Sequence, residues 1–218
     1  MRSANWYLLA AVLVVAAAVG AWWLSADGVA PARGIYPAAS AIPDEEAVGG
    51  FGGCDNFPRD LAGRDWGEPG AVSLVAFPEE QLDGGRRFAV RLVNRTGDVV
   101  GFTACDSCLY LAQEALDRDG NWRPIELPPV EICGNSFHRV FLGPNQYWEF
   151  AARRYGGAFP TRLRFRLEQG EWHSRDFGGV VGTNKRTVTF PERGGRVIYS
   201  TEFEGAVSPS QFVPAGRE

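Results

Sequence analysis

Residues 161–168 have the sequence TRLRFRLE, in which an arginine and an apolar side chain alternate. Because successive side chains of a β-strand point to opposite faces, this alternation predicts a strand with one buried face and one solvated face. The predicted buried face consists of Leu163, Phe165 and Leu167. The predicted cationic face consists of Arg162, Arg164 and Arg166.

Runs with the same period of two lie on both sides of this stretch, and turn signals rich in glycine, proline and aspartate separate them. No stretch after residue 50 combines helical spacing with capping residues. Short strands at this spacing are typical of a sandwich. The sequence therefore predicts an all-β, antiparallel β-sandwich over residues 71–205. The predicted strands lie near 71–77, 86–94, 98–104, 108–116, 121–127, 137–142, 146–152, 161–169, 185–190 and 196–203.

The start of the chain has a different character. Residues 6–24, WYLLAAVLVVAAAVGAWWL, carry no charge, and as a helix they would span about 28 Å, close to the hydrocarbon thickness of a bilayer. Aromatic residues stand at both ends, Arg2 precedes the segment, and Asp27 is the first charge after it. We therefore predict a transmembrane signal anchor over residues 1–24, with the N-terminus cytoplasmic and the domain periplasmic or extracellular.

A cleaved signal peptide is the alternative, and it would release the domain as a secreted protein. The apolar core of a signal peptide is shorter than residues 6–24. Pro31 also directly follows the candidate cleavage site at residues 28–30, which disfavours cleavage there. Both alternatives export the domain.

Three segments outside the predicted sandwich look irregular. Residues 25–50 are mostly small, with three prolines and a short acidic run, and they predict a flexible linker. Residues 51–70 predict a lead-in loop, and residues 206–218 predict a tail. The net charge is -4, so the basic footprint of a nucleic-acid-binding protein is missing and we expect no nucleic-acid partner.

An even number of cysteines in an exported domain predicts disulfides. The four cysteines are Cys54, Cys105, Cys108 and Cys133. In an extended strand the Cα atoms of Cys105 and Cys108 would lie about 10 Å apart, beyond the reach of a disulfide. These two cysteines should therefore have different partners, unless Asp106 and Ser107 form a tight turn. Which pairs form stays open on this argument.

A zinc site is the other use for these cysteines. Its ligands would be Cys54, Cys105 and Cys108, with Cys133 or His138 as the fourth. A strong zinc signal contains a second CxxC pair, which the sequence lacks. We therefore predict no metal and no cofactor. His138 itself lies in a predicted strand, where a hydrogen-bonded structural histidine is expected.

Two groups of residues are candidates for a ligand surface. The aromatic group, Trp122, Tyr147 and Trp148, would stack on sugar rings if its members were exposed, and otherwise would belong to the core. The second group is the cationic face of residues 161–168, which by default is a solvated face and otherwise would bind an anionic glycan or lipid headgroup. Carboxylates in predicted strands would serve a glycosidase only as a pair across a groove. They are Glu114, Glu126, Glu149 and Glu168.

Several short motifs between residues 102 and 212 resemble a group of uncharacterised exported bacterial proteins. They are Ala104-Cys105-Asp106-Ser107, Gln113-Glu114-Ala115-Leu116 with Trp122, Cys133-Gly134-Asn135-Ser136-Phe137-His138, Tyr147-Trp148 and Pro209-Ser210-Gln211-Phe212. The resemblance covers about half of the chain. It implies an immunoglobulin-like β-sandwich and a bond between Cys105 and Cys133, and it implies no activity. Cys54 and Cys108 depart from the pattern of the group and are left to pair with each other.

The sequence therefore predicts a membrane-tethered, extracytoplasmic β-sandwich that acts as a binding or structural module without catalytic activity. Its predicted partners are the membrane, through residues 6–24, and another envelope protein or a glycan. A carbohydrate-binding module is the first alternative. A hydrolase with a carboxylate pair is the second.

Overall fold

A computed structural model gives the fold of the domain. Residues 31–218 form one compact unit. The predicted anchor lies outside the described residues, and among those residues no helix is long and apolar enough to cross a membrane. The described residues are 30–40, 42–44, 52–129, 136–169, 171–177, 186–192 and 196–215.

The described part of the chain is built from strands, with single turns of 3-10 helix and no α-helix. This confirms the predicted all-β class. The strands are β1 (Ala32–Arg33), β2 (Arg59–Asp60), β3 (Val72–Leu82), β4 (Arg87–Asn94), β5 (Val100–Cys105), β6 (Cys108–Leu109), β7 (Leu111–Leu116), β8 (Trp122–Pro124), β9 (Glu126–Leu127), β10 (Phe137–Leu142), β11 (Gln146–Arg153), β12 (Phe159–Glu168), β13 (Glu171–Phe177), β14 (Arg186–Glu192), β15 (Val197–Tyr199) and β16 (Phe203–Val207).

Antiparallel pairing dominates the sheets. One sheet has the order β2-β11-β4-β3, a second has the order β10-β5-β6, and a third has the order β15-β12-β7-β8 with β16 also on β12. Strands β13 and β14 form a separate hairpin, and the two-residue strands β1 and β9 pair in parallel. The three larger sheets share one hydrophobic core, to which they contribute Leu92 and Trp148, Phe102, and Phe165 respectively.

Strand β12 has the alternation that residues 161–168 predict. Leu163, Phe165 and Leu167 are buried, and Arg164 and Arg166 between them are partly exposed. Each of the other predicted strands also overlaps an observed one. The stretch predicted as strand 121–127 is divided into β8 and β9, and the stretch predicted as 196–203 contains β15 and ends at the start of β16.

The largest difference from the sequence prediction concerns residues 31–40, which we call the strap. They were predicted to belong to a flexible linker, but Tyr36 is 1% exposed and lies in the main core with Ala38. The backbone N–H of Ala38 donates to the carbonyl oxygen of Ser107 at 2.8 Å, and that of Leu109 donates to the carbonyl oxygen of Tyr36 at 3.0 Å. The strap therefore packs as an additional extended segment beside β6.

The predicted tail is also part of the folded unit. Val207 and Val213 are buried, and the N–H of Val213 donates to the carbonyl oxygen of Pro124 at 2.8 Å. The Arg123 guanidinium donates to the carbonyl oxygen of Val213 at 2.9 Å. Val207 and Phe212 also pack into a secondary apolar cluster with Leu163 of β12. Up to residue 215, these contacts correct the prediction of a tail over residues 206–218.

Candidate ligand cavity

The aromatic residues predicted as a sugar-stacking platform do not form one. Trp148 is 0% exposed, and its indole N–H donates to the carbonyl oxygen of Ala39 at 2.8 Å. Tyr147 points to the other face of β11, as strand geometry requires, and is covered there by Leu61 and Trp66 from the lead-in segment. Neither ring is therefore available to a sugar from solvent, which corrects the prediction for both residues.

Trp122, the third aromatic candidate, is partly buried in β8. The guanidinium carbon of Arg164 lies 4.3 Å from the centroid of its ring and 3.9 Å from that of Tyr199. A guanidinium in this position makes a cation–π contact and covers the aromatic face. The face of Trp122 therefore already has a partner within the domain.

The cationic face of β12 is neutralised by carboxylates on β7, on β12 itself and just before β16. Arg162 lies 2.7 Å from a carboxylate oxygen of Glu202, and Arg164 lies 2.8 Å from one of Glu114. Arg166 pairs with Glu168. Because each arginine has a carboxylate partner, this face offers little net charge to an anionic glycan.

Three of the four carboxylates considered for hydrolysis serve in ion pairs. Besides Glu114 and Glu168, Glu149 accepts hydrogen bonds from Arg59 at 3.0 Å and from Arg91 at 2.8 Å. Glu126 and Glu168 do line one cavity together, but its volume is about 50 Å³. A space of this size holds a few water molecules rather than a sugar ring. The pair therefore lacks the groove that a glycosidase needs.

Glu126 is the exception among these carboxylates, because it is 2% exposed and its hydrogen bonds come from neutral groups. The hydroxyl of Tyr36 donates to it at 2.7 Å, the hydroxyl of Tyr155 at 2.9 Å, and the backbone N–H of Gln113 at 2.9 Å. These donors belong to the strap, to the segment after β11 and to β7. One carboxyl thus joins three separate parts of the chain.

The protonation equilibria of this cluster are shifted by burial. Burial raises the pKa of Glu126, against the lowering effect of its three hydrogen-bond donors and of nearby Arg153. Burial and the neighbouring Glu126 raise the pKa values of Tyr36 and Tyr155. Both phenols therefore stay protonated at neutral pH and remain hydrogen-bond donors.

Glu126 and Tyr36 form part of the wall of a cavity of about 210 Å³, which we call the arginine cavity. Arg33 from β1 and the register partners Arg87 and Arg153 from β4 and β11 also line it. Its apolar wall consists of Ile35, Pro37 and Ala151.

The three arginines of this cavity are less neutralised than those of β12. Asp83 lies 3.8 Å from Arg87, and Arg33 donates to the carbonyl oxygen of Pro128 at 2.7 Å. Among the described residues, no carboxylate lies within 4.0 Å of a side-chain nitrogen of Arg33 or Arg153. The cavity therefore joins guanidinium groups with spare donors to an apolar wall, and this combination suits an anionic ligand.

The sequence did not predict this cavity. Arg33, Arg87 and Arg153 are far apart in the chain, and only the register of β4 with β11 and the position of the strap bring them together. The one available signal was that residues 25–50, predicted as a linker, contain an isolated Ile35-Tyr36 pair that is more apolar and aromatic than its surroundings.

The cysteine region contains the turn that the sequence left open. Asp106 and Ser107 have φ values of 47° and 62°, so they form a tight two-residue hairpin turn, and Cys105 faces Cys108 across it. The stretch is therefore not extended, and the distance argument for separate partners does not apply. Cys54 and Cys108 are partly buried thiols, while Cys133 lies outside the described residues. Among the described residues no cluster of three or more metal-ligating side chains occurs.

His138 lies next to this turn and is buried. Its Nδ1 is 3.2 Å from the carbonyl oxygen of Ser136, and its Nε2 is 3.3 Å from the hydroxyl oxygen of Ser107. That hydroxyl donates to the carbonyl oxygen of Gly52 at 2.6 Å. Burial lowers the pKa of His138 and so favours its neutral form. These contacts confirm the predicted hydrogen-bonded histidine.

Comparisons with protein-family models, with curated proteins and with solved structures found no match to this chain.

We expect Glu126→Gln to flatten the pH dependence of stability. The pKa of Glu126 is higher in the folded protein than in the unfolded chain. The stabilising contribution of protonated Glu126 is therefore fully present below its unfolded-state pKa of about 4.5, and it is lost as the pH rises through its folded-state pKa. Glutamine keeps the shape, and both tyrosine hydroxyls can donate or accept. Urea unfolding from pH 4 to pH 8 measures the effect. Parallel stability profiles for the two proteins would contradict it.

Proposed function

We propose that this protein is an exported binding module, held at the membrane by residues 6–24, whose immunoglobulin-like β-sandwich binds the carboxylate of an acidic glycan in the arginine cavity without catalysing a reaction. The observation that carries the proposal is the arrangement of Arg33, Arg87 and Arg153 around one open space beside Tyr36.

The chemistry of the cavity favours a carboxylate-bearing sugar. A guanidinium donates two parallel hydrogen bonds to a carboxylate, and such charge-assisted bonds are about twice as strong as neutral ones. Ile35, which is 67% exposed, and Pro37 supply an apolar surface against the carbon face of a sugar ring. A volume of about 210 Å³ is below that of the pockets for drug-sized ligands, so the cavity suits one terminal sugar residue.

Binding rather than catalysis follows from the groups that line the cavity. Among the described residues that line it, none is a serine, cysteine or histidine, and Glu126 is the single carboxyl. That carboxyl is occupied by three hydrogen bonds, and a glycosidase needs two carboxyl groups. The lining residues thus lack the pairs of groups used for nucleophilic or acid–base catalysis.

The test uses the full chain extracted from membranes with detergent, and an oligosaccharide that ends in a uronic acid. We expect the wild type to bind this oligosaccharide and not the version with a neutral terminal sugar. Arg153→Gln should weaken binding about 10- to 100-fold, because a hydrogen bond to a charged group contributes about 1.5–3 kcal/mol. Isothermal titration calorimetry at two salt concentrations measures the affinity.

Arg162→Gln is the matched control, because Arg162 belongs to the neutralised face of β12. It should leave the affinity unchanged. Equal losses in the two variants, or no binding by the wild type, would remove the acidic glycan as the ligand. Binding of an aspartate-rich peptide alone would point to an envelope protein instead. Recovery of a shortened chain outside the membrane fraction would replace the proposed anchor with a cleaved signal.

A further inference from the structure

The lead-in segment is fastened to the turn between β5 and β6 by two hydrogen bonds. The backbone N–H of Gly52 donates to the carboxylate of Asp106 at 3.0 Å, and the hydroxyl of Ser107 donates to the carbonyl oxygen of Gly52 at 2.6 Å. Cys54 follows two residues after Gly52, and Cys108 directly follows Ser107. The same contacts that hold the lead-in segment therefore bring the two cysteines into one neighbourhood.

The strap runs beside both cysteine-bearing segments. Pro37 forms an isolated bridge with Cys108, and the backbone N–H of Ala39 donates to the carbonyl oxygen of Asn56 at 3.0 Å. The side-chain amide of Asn56 donates in turn to the carbonyl oxygen of Pro37 at 2.8 Å. The strap thus contacts β6 at Pro37, and two residues later, at Ala39, it contacts the segment that carries Cys54.

We propose that Cys54 and Cys108 form a disulfide that fastens the lead-in segment to β6 and holds the strap in place. Two S–H bonds break and one S–S bond forms between the two sulfur atoms. The two protons and two electrons pass to the disulfide of an exported thiol oxidase, which is reduced to a dithiol. Because this reaction needs an oxidising compartment, it also depends on the proposed export of the domain but not on the proposed ligand.

The state of the thiols favours a structural bond over a catalytic one. Burial raises the pKa of both Cys54 and Cys108, and the charge of Cys54 raises that of Cys108 further. A reactive cysteine needs a lowered pKa, because the thiolate is the nucleophile. These cysteines are thus suited to a lasting bond rather than to repeated exchange.

Cys105 is the competing partner, because it faces Cys108 across the hairpin. Opposite residues of antiparallel strands have Cβ atoms about 4.5–5.5 Å apart, whereas a disulfide needs about 3.5–4.5 Å. A bond between these two would therefore distort the tight turn. Cys54 lies on a separate segment that does not pair with β5 or β6. Its distance from Cys108 is therefore not set by the Cβ spacing of paired strands.

Peptide mapping of the full chain tests the proposal. The protein is isolated from the exported fraction, blocked with an alkylating reagent without reductant, and digested with a protease that cleaves before aspartate. Cleavage before Asp106 separates Cys105 from Cys108. We expect a cross-linked peptide that contains Cys54 and Cys108 and disappears on reduction. A Cys105–Cys108 link, or alkylated Cys54 in the unreduced protein, would overturn the proposal.

A stability measurement gives a second, independent result. Cys54→Ser and Cys108→Ser should each lower the Tm of the oxidised protein by about 5–15 °C, and the double variant should lower it no further. In the presence of reductant the wild type and the variants should have the same Tm, because the proposed bond is then absent from all of them. Ser40→Ala, a change of similar size in the strap, is the control and should give no redox-dependent shift. Additive losses in the double variant would argue against a shared bond.

Discussion

Tyr36→Ala is expected to lower the free energy of unfolding by about 3–5 kcal/mol, as large aromatic-to-alanine changes do in protein cores. The ring of Tyr36 is buried and packs edge-on against Phe150 and Phe165, with centroid distances of 5.9 Å and 6.1 Å. Its hydroxyl is also one of the three donors to Glu126. The substitution would leave a cavity in the core and remove a donor from a buried carboxyl.

Two controls separate these contributions. Tyr36→Phe keeps the ring and removes the hydroxyl, so it should cost about 1–3 kcal/mol, the penalty for a buried group that loses its partner. Ile35→Ala changes the exposed neighbour and should cost less than about 0.5 kcal/mol. Urea unfolding at pH 7 measures all three variants. If Tyr36→Ala left the free energy of unfolding unchanged, residues 31–40 would behave as the flexible linker that their composition predicts.

Trp148→Ala should destabilise the domain by a similar amount, about 3–5 kcal/mol. The indole is fully buried, and its ring packs edge-on against Phe102 at a centroid distance of 5.7 Å. Its N–H holds the carbonyl oxygen of Ala39, so the substitution also releases the end of the strap. Thermal unfolding followed by near-ultraviolet circular dichroism measures both the loss of stability and the loss of the buried indole signal.

Trp122→Ala is the matched control, because it removes the same side chain from a position that is only partly buried. It should cost about 1 kcal/mol, mainly through the loss of its cation–π contact with Arg164. Sugar binding that depends on Trp148, together with unchanged stability of Trp148→Ala, would restore the predicted stacking platform.

The sequence was sufficient to predict the strands of the core, but not to predict the strap and the C-terminal segment that pack at its edges. The strict alternation in β12 identifies the buried face directly, because this pattern involves only residues that are adjacent in the chain. The strap gives no such signal, because its small residues and prolines are typical of a linker. Tyr36 is buried because β9, β11 and β12 provide partners far along the chain. The same dependence on distant partners explains why the segment that contains the buried Val207 and Val213 was predicted as a tail.

Ligand surfaces were harder to predict because they depend on strand register. The arginines of β12 were correctly placed on one face, but the sequence did not reveal that Arg164 lies opposite Glu114 on β7. Register likewise places Arg87 beside Arg153. Alternation identifies the residues that share a face of one strand, whereas the charge of that face depends on which residues of the next strand lie beside them.

The position of the strap has a consequence for the order of folding. It is synthesised before the strands it packs against, and its contacts close large loops: Tyr36 and Glu126 are 90 positions apart, and Ala39 and Trp148 are 109 apart. Contacts of such high sequence separation form late, because loop closure costs entropy before any packing is gained. We therefore expect the strap to dock after the folding transition state, so that its contacts set how slowly the domain unfolds rather than how fast it folds.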